Sequence, residues 1–280
     1  MKFGVAIFPT DYGISMAELA PAAEQLRFES LWVAEHSHIP AGRESRWPGG
    51  AELPKQYWHT LDPFVALTVA AAASKVLLIG TGICLVTQRD PIHTAKQVAS
   101  LDHISNGRFL FGVGAGWNRE EMSDHGTEFS SRWKLMRERV EAMKAIWTQE
   151  TPEYHGDMVS FQPMWSWPKP VQKPHPPVIL GGSGPRILER VVRYGDGWMP
   201  NRGELAARIT ELREMAAAAG RGHIPVSCYP KRAAEDVERM EAAGVERCIF
   251  YVSPDGRDPA LADLETIGRL IEPYLAGKHN

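Results

Sequence analysis

Cysteine is scarce. Cys84, Cys228 and Cys248 are the only three in 280 residues, and no two stand in a CxxC spacing. That excludes a disulfide framework, offers no zinc pattern and fits a reducing, cytoplasmic setting. No apolar run approaches the length needed to span a membrane. The opening MKFGVAIFP has too short an apolar stretch and too little positive charge for a secretion signal, and reads as a first strand. Neither sign of charge dominates: 31 Lys and Arg against 34 Asp and Glu leave a net charge of −3. Nucleic acid and anionic membrane surfaces are therefore poor partners, and a small molecule is the expected one. No fixed-period repeat, low-complexity tract or break in composition divides the chain, so residues 1–280 read as one domain.

What the chain does have is apolar runs. Eight of them, at residues 3–8, 30–34, 76–86, 108–113, 178–181, 197–200, 225–229 and 247–252, are apolar throughout rather than alternating. A helical pattern follows each. The clearest is Trp133, Met136, Val140, Met143 and Trp147, at spacings of 3, 4, 3 and 4. Ser15 and Glu18 predict a capping box for the first helix, and Pro21 inside it predicts a kink. Strands buried on both faces and alternating with helices imply a parallel sheet. Eight such units in a chain of this length predict a closed (β/α)8 barrel of the TIM type, with a doubly wound sheet as the alternative. Two irregular insertions interrupt the pattern, near residues 40–62 and 150–177; the first is rich in Gly, Pro and aromatics, the second in Pro.

The stretch VILGGSGPR at 178–186 carries the strongest local signal. An apolar strand runs into glycines that let a ligand approach the backbone, and Pro185 suits a helix start. The free N–H groups there favour an anion, most often a phosphate; a plain βα turn with a helix cap is the bland alternative. In a barrel the active site lies at the C-terminal strand ends. That places Glu35 and His36 after the second strand, and Gly82, Ile83 and Cys84 at the third. Ala115, Gly116, Trp117 and Asn118 follow the fourth, Gly181, Gly182, Ser183, Gly184 and Arg186 the fifth, and Asn201 and Arg202 the sixth. No Ser-His-Asp set, metal cluster or strand-end lysine is among them. An anion site with apolar walls and few titrating groups suits a flat, phosphate-bearing cofactor.

These pieces, with SLWVAEHSHIP at 30–40 and GGAELPKQYWHTLDPF at 49–64, resemble the bacterial luciferase-like superfamily of flavin- and F420-utilising enzymes. The chain is most similar to its F420-dependent oxidoreductase branch. The resemblance implies the same barrel, a dimer, and a cis peptide at Gly82–Ile83 supporting the central ring of the deazaflavin. It implies phosphate held at 181–186, Ala115 and Gly116 along the polar edge of the ring, and Glu35 and His36 near the reacting ring. The implied reaction is hydride transfer between F420 and a small organic substrate. An FMN-dependent monooxygenase using reduced flavin and O2 is the first alternative, and a flavin-binding protein without turnover the second. One departure stands out: a sugar-phosphate dehydrogenase of this branch has glutamate where this chain has Trp117.

His36 is the expected proton donor to substrate, with a structural histidine as the bland reading. Glu35 would orient His36 or meet the hydroxylated chain of the cofactor, unless it is a solvated loop carboxylate. Trp47, Trp58 and Trp117 are expected substrate or ring walls, with barrel-end packing as the alternative. Arg43, Arg46 and Lys55 would attract the oligoglutamate tail of F420, unless they are merely solvated. Cys84 is most simply core. His36 and His38 lack a third ligand, so no metal is expected.

Overall fold

The computed structural model describes residues 1–50, 52–201 and 205–276. Its centre is a ring of parallel strands: β1 (Lys2–Ile7), β2 (Ser30–Val33), β3 (Leu78–Thr81), β4 (Phe109–Val113), β5 (Val178–Gly181), β6 (Gly197–Met199), β7 (Ser227–Cys228) and β8 (Arg247–Tyr251). The order is β6-β5-β4-β3-β2-β1-β8-β7, and a single bridge between Trp198 and Val226 joins the two edges. The barrel is nearly closed, with each strand beside its sequence neighbours. Around it lie α1 (Met16–Gln25), α2 (Pro63–Ala73), α3 (Pro91–Ile104), α4 (Arg132–Thr148), α5 (Ile187–Tyr194), α6 (Leu205–Ala218), α7 (Ala234–Ala242) and α8 (Arg257–Ala276). Among the described residues no helix is long and apolar enough to cross a membrane.

Local chemistry sets the boundaries. Asp62 and Asp90 cap α2 and α3, each followed by proline at the first helical position. α1 runs on through Pro21, since Leu19, Ala20 and Ala23 bury its inner face. Ser15 caps it by accepting from Ala17 N, but Glu18 turns away to Arg257, so the expected capping box does not form. β3 is shorter than the apolar run 76–86. Its ladder ends at Thr81, and the Gly82–Ile83 peptide bond is cis, as the resemblance implied. The insertions hold short elements that periodicity missed: a helical turn Gln56–His59 and a hairpin pairing Tyr154–His155 with Ser160–Phe161.

Most of the core fills the layer between strands and helices, but a separate cluster fills the barrel. At its centre lies fully buried Trp32, with Leu110, Ile179 and Ile249 around it. The indole N–H donates to Ser30 Oγ at 2.9 Å. Gly80 makes room for it: a Cβ there would sit 2.5 Å from the ring. Trp32 therefore fills the barrel interior below the C-terminal strand ends, where the cavity lies.

Below Trp32, Arg247 at the start of β8 donates twice to the Glu29 carboxylate, at 2.7 and 2.8 Å, tying β8 to the entry of β2. Burial pushes the Glu29 carboxyl up, but the guanidinium pulls it down by more, so its pKa lies below the ordinary value. A depressed carboxylate stabilises the fold fully above its unfolded pKa of about 4.3, and that stabilisation fades as pH falls through the folded value. Urea unfolding of Glu29→Gln from neutral pH downward is therefore expected to show lower stability at neutrality and a shallower loss on acidification. An unchanged acid slope would mean that the pair does not drive it.

Candidate active site

A cavity of about 510 Å³ opens at the C-terminal ends of the strands. One side of it is almost bare backbone. Gly82 and Ile83 supply the end of β3, Gly114 to Gly116 the end of β4, and Gly181 and Gly182 the end of β5. These strands approach so closely that side chains are excluded. A Cβ on Gly112 would lie 2.0 Å from the Thr81 carbonyl oxygen, and one on Gly114 would lie 1.7 Å from Ile83 Cδ1. Ile83 packs into the space those glycines leave and floors the cavity above Trp32. Gly182, at φ 120°, turns the chain away from β5 in a conformation that L side chains rarely adopt. Beyond it the N–H groups of Gly184 and Arg186 donate to no protein acceptor among the described residues. They stand just ahead of α5.

Aromatic rings form the other walls. Phe8 and Tyr57 meet at 4.6 Å between ring centroids, and Tyr229 stacks on Tyr251 at 5.1 Å. Trp117 stands edge-on to the His36 ring at 5.8 Å. Burial raises the pKa of Tyr57 and lifts that of Tyr229 well above the ordinary value, so both remain neutral phenols at working pH. No lysine or arginine lines this cavity among the described residues.

His36 sits at the rim of the backbone wall with 8% of its surface exposed. Its Nδ1 is 2.8 Å from Glu121 Oε2, and Glu121 is completely buried. The other oxygen of that carboxylate accepts the Ser37 N–H at 3.2 Å. A carboxylate on Nδ1 favours the tautomer with the proton there, which leaves Nε2 free of any protein partner among the described residues. The carboxylate on His36 is thus that of Glu121 and not of neighbouring Glu35. The sequence carried a faint signal for it. Asn118 and Glu121 have the spacing of a helix start, and Asn118 does cap the short helix Arg119–Asp124, accepting from Glu121 N.

Glu35 lines the cavity too, but its oxygens are already engaged. One accepts the Leu85 N–H; the other takes the Arg89 guanidinium, which also reaches Asp62 at the start of α2. Burial works against the Arg89 charge, but Glu35, Cys84 and Asp62 together outweigh it, so the pKa of Arg89 is raised. This network clamps the chain beyond the cis peptide to the end of β2. Seven other expected site residues lie off the cavity: Ser183 and Gly184 stand beyond its rim, Arg186 lines a neighbouring cavity, and Cys84, Asn118, Trp47 and Trp58 point elsewhere. Cys84 is fully buried, its N–H donating to Gly112 O and its carbonyl accepting from Gly114 N. Asn118 is buried as a cap. Trp47 packs against Tyr57 in an adjacent cavity, and Trp58 is half exposed beside His59. Ser183 bonds Asn201 across the mouth, and Arg202 lies outside the described residues.

A family model for luciferase-like monooxygenases matches residues 1–276. The chain belongs to that family. It is accordingly an oxidoreductase. An uncharacterised protein of Mycobacterium tuberculosis is 39% identical over 275 residues, which is 95% of this chain and 97% of its own. The FMNH2-dependent dimethylsulfone monooxygenase of Pseudomonas putida is 30% identical over 257 residues, 88% of this chain and 64% of that one. Among solved structures, the F420-dependent tetrahydromethanopterin reductase of Methanopyrus kandleri has a TM-score of 0.74 at 18% identity, over 98% of this chain and 99% of that one. The monooxygenase RslO1 of Streptomyces bottropensis reaches 0.78 at 22% identity, with both chains covered completely. At such identities the superpositions establish the fold. This luciferase-like chain therefore has an FMNH2-dependent relative and shares its fold with an F420-dependent reductase.

Proposed function

We propose that this protein is an F420-dependent oxidoreductase acting on a small, uncharged substrate, with His36 as the group that handles the substrate proton. The observation that carries the reading is the His36–Glu121 pair set at the rim of a bare backbone wall. The residues present fit a tricyclic, phosphate-bearing cofactor. A flat ring needs a smooth surface, and the glycines on β3, β4 and β5, with the Ile83 side chain packed among them, leave one. Its phosphate needs unengaged N–H donors, and Gly184 and Arg186 have them at a helix start. Gly82, Ile83, Ala115, Gly116, Gly181 and Gly182 would hold the ring, and 183–186 the phosphate.

F420, when bound, supplies a two-electron hydride donor and acceptor. The protein does the rest. With Nδ1–H donated to Glu121, the Nε2 lone pair of His36 takes a proton from a substrate hydroxyl as the adjacent carbon loses hydride. Glu121 then stabilises the imidazolium, and the reverse direction returns the proton. Glu35 holds the β3 wall through Leu85 and Arg89. Trp117, Tyr57 and Tyr251 wall off water around the substrate. Among the described residues no lysine or arginine lines the cavity to meet a phosphorylated substrate, in keeping with tryptophan at position 117.

The FMN monooxygenase reading draws on the dimethylsulfone monooxygenase relative. A fluorescence titration of the apoprotein with F420 and with FMN separates the two. Micromolar F420 affinity with weak FMN binding is expected; the reverse preference would hand the site to flavin and O2. We further propose a homodimer. Val65 and Val69, four apart on α2, are both exposed, and light scattering is expected to give twice the monomer mass.

A further inference from the structure

A second cavity, of about 360 Å³, lies between α4 and α5 on the far side of Trp133, which lines both cavities. Its lining carries five cations, Lys134, Arg137, Arg186, Arg190 and Arg193, against one carboxylate, Glu189. The three α5-side arginines are spaced four and three apart, so they share one helix face. Lys134 reaches Asp157, Arg137 reaches Glu138, and Arg193 approaches Glu141 at 3.8 Å. Arg186 and Arg190 have no ion pair among the described residues. Arg190 instead lies over the Trp133 ring, 4.2 Å from its centroid, and Arg132 approaches the same ring at 5.7 Å. Burial and then Arg186 lower the pKa of Arg190; burial and then Arg190 and Arg119 lower that of Arg132. Like charges have been gathered at an electrostatic cost. The Tyr194 hydroxyl adds an independent sign of a ligand. Tyr194 lines this cavity, is 5% exposed, and its oxygen is buried without a hydrogen-bond partner among the described residues. An unpaired buried hydroxyl beside unpaired arginines suits an acceptor-rich, anionic guest.

The position of the cavity identifies which guest. Arg186 ends the proposed phosphate loop, and a Cβ on Gly182 would lie 3.7 Å from Trp133. The cavity therefore begins where the phosphate would sit and leads outward. We propose that this arginine-lined cavity seats a flexible oligocarboxylate chain continuing from the cofactor phosphate, the glutamyl tail of F420. The proposal rests on the F420 reading above. FMN ends at its phosphate and leaves the cavity empty. The loop residues Arg43, Arg46 and Lys55 are the competing location. Arg43 is turned onto the Ser45 carbonyl, and Lys55 pairs with Asp255 and lies over Tyr12.

Equilibrium titrations with long-tailed F420, with F420 stripped of its glutamates but keeping its phosphate, and with FMN and FAD test this. Wild type is expected to bind the long-tailed form on the order of ten-fold more tightly than the stripped form, two or three exposed charge pairs being worth about that. The advantage is expected to disappear in Arg190→Gln/Arg193→Gln and to shrink as salt rises, while Arg43→Gln/Arg46→Gln keeps it. The salt series on wild type provides a readout that does not depend on any variant folding. Equal affinity for long-tailed and stripped F420, or an advantage that survives in the α5 variant and falls in the loop variant, would overturn the subsite and leave the F420 reading intact. Failure of every F420 form to bind, with FMN bound, would overturn both. Tighter binding of FAD than of long-tailed F420 would reassign the cavity to a nucleotide diphosphate.

Discussion

His36→Ala is expected to slow turnover by roughly 10²–10⁴-fold while F420 affinity stays close to wild type. The size follows from the geometry. The imidazole is nearly enclosed and held at Nδ1, and Nε2 has no partner among the described residues. Glu121→Gln is the sharper probe. Glutamine can still accept from Nδ1–H, so the ring stays in place, but the charge that balances the imidazolium is gone. A loss of roughly 10–100-fold in turnover, with little change in substrate affinity, is expected. The substrate for these assays comes from screening small uncharged alcohols and ketones against the F420 absorbance. Nitrogen NMR of the imidazole offers a readout apart from turnover: it should report Nδ1–H in the wild type and a shifted tautomer balance in Glu121→Gln. Wild-type turnover in His36→Ala would remove the proton role. Wild-type turnover and tautomer in Glu121→Gln would reduce Glu121 to packing.

Gly112→Ala is expected to be the most damaging single-methyl change, at about 3 kcal/mol or more, or to prevent folding. At Gly114 the added methyl would meet the end of the Ile83 side chain, which can rotate. At Gly112 it would meet the Thr81 carbonyl oxygen at 2.0 Å, and that is backbone. Two bonds hold the strands at this spacing: Cys84 N–H and the Thr81 hydroxyl both donate to Gly112 O, at 2.8 and 2.7 Å. To relieve the clash β3 and β4 must part, which breaks those bonds and spoils the wall. Thermal unfolding of Gly112→Ala beside Gly114→Ala checks this, and similar melting temperatures for the two would contradict it.

The two cases show what could be read from the chain beforehand. Strands buried on both faces are apolar throughout, so all eight were legible, and the barrel followed from their alternation with helices. Residues directly after a strand inherit their position from it, which is why His36, Gly82, Ala115 and Gly181 fell where expected. Partnerships across the mouth left no such trace. His36 and Glu121 are 85 residues apart, and Glu35 and Arg89 are 54 apart. No periodicity links them. Trp47 and Trp58 sit in a long insertion whose path depends on packing, and composition alone could not say which aromatic rings would face the cavity. Phe8, Tyr57 and Tyr251 do so from three separate parts of the chain. The gathering of Arg186, Arg190 and Arg193 around Trp133 was not read from the sequence, because it joins α5 to α4 across more than fifty residues.

Trp32 has a kinetic consequence. Because it fills the barrel from below, ligands reach the cavity from the C-terminal strand ends. On the proposed reading, a ring seated against the β3–β5 wall would enter first and leave last, so substrate would queue behind cofactor and product would clear before cofactor is exchanged. A dead substrate mimic lodged at the mouth would then slow the escape of cofactor without touching it, and compulsory-order kinetics would be written into one indole ring far from the reacting atoms.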